Sequence, residues 1–217
     1  IMSAFIASFL ALQPDIGTLG VLLISVMALF FLSGGNFKQM ALLSVIGLVI
    51  ISILIAVEPY RLDRLKVFLN SSYDLQGKGY QINQALIAAG SGGFWGRGFG
   101  LSRQKFSYLP EPIGDSIFTV AAEEIGFVGV ISLLALFLLF FLRGIWITRQ
   151  ATDLFGKLLG AGILFLIMFQ MLINISAIVG LLPLTGIPLP FVSYGGTALA
   201  VTLAEVGIIL NISKKRA

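Results

Sequence analysis

The sequence predicts an all-α polytopic membrane protein, and three observations carry that prediction. Hydrophobic residues make up 58% of the 217 positions and charged residues only 11%, against roughly a quarter charged in soluble domains. Mean hydropathy is +1.01. The apolar residues are also gathered into runs that approach or exceed the roughly 20 residues a helix needs to cross a bilayer.

The runs give the elements in order. Residues 1–12 read as part of a span, because the chain enters an apolar run at once with neither a charged n-region nor an A-x-A-like cleavage site. A piece of a longer protein is therefore expected. Spans follow at 16–33, 39–57, 116–142, 157–180 and 193–211, with one long connection at 58–115, all within a single transmembrane domain over residues 1–217. Arg143, Arg149 and Lys157 flank one short turn, Lys38 sits in another, and the chain closes on Lys214, Lys215 and Arg216. Short basic loops favour the cytoplasm, so these turns and the C-terminus are expected inside, and the 58–115 loop and the 180–196 connection outside.

The sequence contains no cysteine and no histidine. Disulfides, thiol nucleophiles, imidazole bases and Cys/His metal centres are excluded, so proton chemistry falls to Asp, Glu, Lys or Tyr. The net charge of +4 does not point to nucleic acid, since the cations are divided between short turns and the outer loop. Anionic lipid or phosphate is the better match.

The outer loop carries Arg61, Arg64, Lys66, Lys78, Arg97, Arg103 and Lys105. Each has a plain reading as a solvated or headgroup-contacting residue; together they suit an anionic ligand. Within the loop, "GYQINQALIAAG" at 79–90 places Ile82, Leu86 and Ala89 at helical spacing and predicts a short interfacial helix. The following "GSGGFWGRGFG" fits neither a dinucleotide-binding fingerprint nor a P-loop. It reads as a tight turn presenting Phe94 and Trp95 to the interface.

Three acids stand inside spans, where a carboxylate is costly and usually has a task, and Asp115 stands directly before one. Asp115, after Pro112 and Gly114, is expected at the N-cap of its helix. Glu123 and Glu124 lie further in, about 12–14 Å along a helix rising 1.5 Å per residue. Glu124 falls on the face opposite Asp115, so the three cannot line one site. The Glu pair is expected to hold neighbouring helices or loop cations, and Glu205 to face a partner or polar cavity. Gln170, Asn174 and Ser176 read as polar glue between helices.

The stretches "QPDIGT" at 13–18, "EPYRLDRL" at 58–65, the long block from Gly77 to Gly129 with its Y-L-P-E…D-x-I-F…E-E-x-G pattern, and "GLLPLTGIPLPFVSYGG" at 180–196 resemble the FtsW/RodA (SEDS) family of membrane proteins. Together they cover nearly the whole chain. The "EPYR" tetrad is closer to the division branch, FtsW, than to the elongation branch, RodA. The resemblance implies a ten-helix fold with both termini inside, of which this sequence supplies the C-terminal half, about five and a half transmembrane helices. It also implies an inverting peptidoglycan glycosyltransferase that polymerises lipid II at the outer face of the bacterial cytoplasmic membrane, with a class B penicillin-binding transpeptidase and other divisome or elongasome membrane proteins as partners. The family's essential loop aspartate falls on Asp115. Two departures stand out: Ile113-Gly114 replaces the His-Thr that many members carry before that aspartate, and Leu184-Thr185-Gly186 lacks a lysine that some members have.

Joining sugars from a lipid diphosphate needs a base for the acceptor hydroxyl and cations for the leaving group. Asp115 is the candidate base. Arg61, Arg64, Lys78, Arg97, Arg103 and Lys105, with Glu111, form the candidate substrate-binding set, and Glu123, Glu124, Glu205 and Asn174 the polar core. No protein metal site is read from the sequence, although a divalent cation, Mg or Mn, shared between the substrate diphosphate and Asp115 or Glu111 is compatible with the residues. Two other functions fit the same residues: a lipid II flippase or transporter, in which Asp115 only caps a helix, and a non-catalytic division scaffold.

Overall fold

The computed structural model describes residues 15–69, 78–107, 109 and 112–214, the side chains of residues 16, 60, 61, 78, 106 and 107 excepted. The partial span expected at 1–12 lies outside the described residues, as does Glu111. Among the described residues the ordered elements are helices: α1 (Ile16–Leu32), α2 (Phe37–Val57), α3 (Pro59–Leu69), α4 (Lys78–Ser91), α5 (Gln104–Ser107), α6 (Ile117–Arg149), α7 (Leu154–Ile178) and α8 (Gly196–Lys214). Four of them, α2, α6, α7 and α8, are long and apolar enough to cross a membrane. α1, at 17 residues, is shorter.

The start of each of the first spans is written locally. Asp15 caps α1, its carboxylate accepting from the Thr18 amide at 2.9 Å and the Thr18 hydroxyl at 2.6 Å. Asn36 caps α2 through the Lys38 amide at 3.0 Å. Asp153 caps α7 through the Gly156 amide at 2.7 Å, which draws the helix start back to Leu154 and puts Lys157 in its first turn. These carboxylates and amides satisfy orphan N–H groups of the first turn.

α6 continues seven residues past the expected end, to Arg149. The extension holds because Arg143 lies over the Trp146 ring at 4.1 Å, so the charged residues run along the helix surface instead of ending it. α6 and α7 cross closely where their small residues meet: a side chain at Gly144 would overlap Leu164, and one at Gly160 would overlap Thr148. Small residues at crossings are how membrane helices gain packing without a hydrophobic drive.

The 58–115 connection is more structured than the sequence suggested. α3 occupies "PYRLDRLKVFL" and buries Val67 at 2% exposure. α4 forms where an interfacial helix is expected, but its buried face is Ile82, Ala85 and Ala88, while Leu86 is exposed. Ala85 and Ala88 are completely buried on that face, and α4 lies against α6. Val67, Ile82, Ala85, Phe118, Met171 and Leu189 share one core at this end of the bundle. A second core of Ile147, Ile163, Leu164, Ile167 and Ile209 fills the opposite end.

Candidate functional site

Asp115 lies in the turn 112–116 that feeds α6. It is not the N-cap expected from the sequence. Ser116 holds that position, without a side-chain cap. The turn tightens ahead of the helix, so the Thr119 and Val120 amides reach back to the Ser116 carbonyl at 3.1 and 3.4 Å. The Asp115 carboxylate accepts from the Ser116 hydroxyl at 3.2 Å, and Gln81 of α4 approaches that same hydroxyl at 3.4 Å.

The backbone beneath Asp115 is gripped from two directions. Asn174 of α7, 3% exposed, donates to the Asp115 carbonyl at 2.9 Å and to the Ile187 carbonyl at 2.6 Å. Its amide thus joins two loops, where helix-to-helix glue is the sequence expectation. From the 180–196 connection, the Ser193 hydroxyl donates to the Gly114 carbonyl at 2.7 Å and accepts from the Leu189 amide at 2.7 Å. The Tyr194 amide donates to Ile113 at 2.8 Å, and Gln170 holds the Pro188 carbonyl at 3.2 Å. The connection therefore packs against the Asp115 turn, and buried polar groups with partners on both sides fix geometry more than they add stability.

The glycine-rich stretch 92–100 is not a free turn. α6 is interrupted at Gly126, with φ 67° and ψ −171°, a conformation essentially reserved for glycine. An unbroken helix would bond the Phe127 amide to the Glu123 carbonyl and the Val128 amide to the Glu124 carbonyl. Instead the Glu123 and Glu124 carbonyls accept from Arg97 and Gly98, at 2.9 and 3.0 Å, while Phe127 and Val128 donate to Gly93 and Phe94, at 2.9 and 3.2 Å. Two helical bonds are replaced by four between loop and helix, so the break leaves none of these groups unpaired. The contact is backbone to backbone: a side chain at Gly92 would overlap the Ala122 carbonyl, and one at Gly96 the Glu124 carbonyl.

The Glu123 and Glu124 side chains tie down the rest of that loop. Glu123, fully buried, accepts from the Ser102 hydroxyl at 2.6 Å and from the Arg103 and Gln104 amides at 3.1 and 3.3 Å, with Arg97 at 3.6 Å. Glu124 pairs with Lys105 at 2.6 Å. Lys105 and Arg97 thus belong to the scaffold. Arg64 does as well, donating to the Leu184 carbonyl at 2.7 Å in the stretch that lacks the family lysine. Arg103 differs: its amide is bound, its side chain is exposed, and it shares with Arg97 and Leu101 the rim of an open surface hollow. The side chains of Arg61 and Lys78 lie outside the described atoms. Glu205 is half-buried in α8 and has no ion pair among the described residues. No cluster of three metal-ligating side chains occurs among the described residues.

Sequence reasoning did not single out Gly126, Ser102 or Ser193. A glycine within an otherwise helical apolar run and glycines four apart at 92 and 96 were the available signals for the first; nothing local marked the two serines.

The family model for FtsW, RodA and SpoVE cell cycle proteins matches residues 1–217. Stage V sporulation protein E of Bacillus subtilis is 43% identical over 99% of this chain and 58% of its own length. The "Probable peptidoglycan glycosyltransferase FtsW" of Escherichia coli O157:H7 is 40% identical over 95% of this chain and 51% of its own. Among solved structures, a chain of a peptidoglycan synthase complex that coordinates polymerisation and crosslinking superposes with a TM-score of 0.76 at 28% identity, over 99% of this chain and 60% of that one. The rod shape determining protein RodA of Thermus thermophilus gives 0.65 at 28% identity, over 99% and 56%. The chain spans little more than half the length of the relatives it matches.

Proposed function

Since this chain belongs to the FtsW/RodA/SpoVE family of multi-pass membrane proteins, we propose that it is part of a peptidoglycan glycosyltransferase that polymerises lipid II, with Asp115 as general base. The observation that carries the reading is the grip of Asn174 on the Asp115 carbonyl and of Ser193 on the adjoining Gly114 carbonyl, beside a loop bearing exposed cationic groups. A general base needs a fixed carboxylate within hydrogen-bond reach of the proton it takes, worth roughly 10²–10⁴-fold.

In the proposed step Asp115 removes the proton from the 4-hydroxyl of the acceptor GlcNAc as that oxygen attacks C1 of the donor MurNAc. The C1–O bond to the diphosphate breaks, C1 inverts, and undecaprenyl diphosphate departs with the bonding pair. Arg103 is the best-supplied candidate to meet the charge that develops there, because a guanidinium fork suits phosphate oxygens. Arg61, Lys78 and Glu111 remain candidates for the same surface. A divalent cation, if one participates, would be held by Asp115 and the substrate diphosphate with water completing its shell, as oxygen-loving Mg²⁺ is held at phosphate sites.

The basic turns at Lys38, Arg149 and Lys157 and the tail at Lys214 support a cytoplasmic placement of that end and of the C-terminus. The Asp115 end would then face outward. A class B penicillin-binding transpeptidase is the partner proposed for crosslinking the product. It is supported by the likeness to a complex that both polymerises and crosslinks.

The test is glycan-strand formation from fluorescent lipid II by the purified full-length protein with its transpeptidase, in detergent, where no leaflets exist. Polymer from wild type and none from a normally folded Asp115→Asn variant supports the reading. Equal polymer from both overturns the general-base role, and no polymer from either turns the reading to lipid transport or scaffolding.

A further inference from the structure

At the end of the bundle remote from Asp115, α1, α6 and α7 leave a groove between them. It has a volume of about 290 Å³ and is walled by Leu32, Phe141, Ile145, Leu164 and Phe165, with Arg149 and Lys157 also on its lining. Phe141 and Phe165 stand at 6.2 Å, tilted against each other, and give the groove an aromatic side. Both cations are exposed. Neither forms an ion pair among the described residues, and the nearby acid, Asp153, is spent on capping α7.

We propose that this groove is a binding site for an anionic glycerophospholipid, one acyl chain lying along Phe141, Ile145 and Phe165 and the phosphate resting between Arg149 and Lys157. The charge pattern selects this occupant. A purely apolar partner would leave two cations facing it without gain, and a soluble anion would leave the apolar wall uncovered. A lipid with a negative headgroup satisfies both, and basic pockets between membrane helices take such headgroups. General attraction of basic turns to the membrane surface needs no cavity, whereas here the cations and the apolar wall line the same one. Under the sidedness proposed above, the lipid comes from the cytoplasmic leaflet; the binding itself does not depend on that assignment.

The experiment uses full-length protein, delipidated in detergent and offered phosphatidylglycerol against phosphatidylcholine, with bound lipid counted by native mass spectrometry. Arg149→Gln and Lys157→Gln should each lower phosphatidylglycerol retention about fivefold, the ratio matching about 1 kcal/mol per cation near an anionic surface, and the double variant should abolish the preference. Lys38→Gln with Lys214→Gln removes equal charge outside the groove and should leave retention unchanged. Ala161→Phe, which fills the groove while keeping both cations, should lose retention. Equal loss from the Lys38 and Lys214 pair would overturn the proposal in favour of unspecific surface charge. Full retention by the Arg149 and Lys157 double variant would overturn it as well, and would mean that another segment or protein covers the groove. Should Ala161→Phe fail to fold, comparison of the two double variants still decides.

Discussion

The carbonyl of Glu123 takes its hydrogen bond from the amide of Arg97, at 2.9 Å, and not from Phe127, four residues further along its own helix. That exchange joins the 92–105 loop to α6 through the backbone, while the Glu123 side chain seizes the loop again at Ser102. One residue of the membrane helix thereby organises the loop on both its main chain and its side chain. The loop's position follows from the helix break, and the break follows from Gly126.

Gly126→Ala should therefore destabilise the protein by about 1–3 kcal/mol from backbone strain alone, and by more once the new methyl group meets the Gly96, Trp95 and Phe94 backbone. Gly207→Ala is the matched control. A side chain there meets nothing within 4 Å, and alanine is the better helix former. Thermal melting of the full-length protein in detergent should show a clear loss for the first variant and none for the second. Equal melting points would mean that the break tolerates an ordinary residue.

Lys105 and Glu124 form the shortest ion pair of the site, 2.6 Å, with the Glu124 side chain 9% exposed. Removing the ammonium alone leaves a nearly buried carboxylate without its counter-charge, so Lys105→Met should cost about 1.5–3 kcal/mol. Glu124→Gln should cost less, because the amide retains an acceptor. The double variant should be more stable than the sum of the two losses predicts, since the uncompensated charge is gone. Denaturation of the four proteins closes the cycle, and strict additivity would show that the pair contributes nothing.

The transmembrane architecture was legible because hydrophobic runs report it directly: the expected spans from 16–33 to 193–211 each meet a helix. The ends shifted where local chemistry overrode hydropathy, as at Asp153, whose cap pulls α7 back to Leu154, and at Arg149, which α6 reaches by keeping its cations along its surface. The site was legible only in part. Asp115 stood out as an acid at a helix start, yet capping falls to Ser116, because the turn tightens one residue later than the sequence pattern indicates. Ser193 and Ser102 act through partners 79 and 21 residues away, and local pattern carries no information about such separations. The cations split for the same reason. Arg97 and Lys105 are indistinguishable from Arg103 in sequence, and only the fold shows that carboxylates of α6 have claimed the first two.

Asn174 should prove a positioning residue for Asp115. Asn174→Ala deletes both bonds of its amide and should cost about 1–3 kcal/mol. Polymerisation should fall at least about tenfold, since displacements of about 1 Å at a reacting group can cost 10²-fold. The loss should appear in kcat with KM for lipid II little changed. Gln170→Ala removes only the 3.2 Å bond to Pro188, leaves the Asp115 carbonyl held, and should lower kcat much less. Equal effects from the two would assign Asn174 to general packing instead.

Arg103 and Arg97 give the sharpest separation of binding from scaffold. Arg97 approaches buried Glu123 at 3.6 Å and donates to the Ser91 carbonyl at 3.3 Å, so Arg97→Ala should lower the melting temperature. Arg103 commits only its amide, and alanine keeps an amide. Arg103→Ala should therefore melt as wild type does and raise KM for lipid II several-fold, as loss of an exposed charge on the substrate's path would. The wild-type advantage should shrink as salt is added and the Debye length falls below about 8 Å. A stable Arg103→Ala protein with unchanged KM at every salt concentration would remove this arginine from the substrate surface and leave Arg61 and Lys78 to meet the diphosphate.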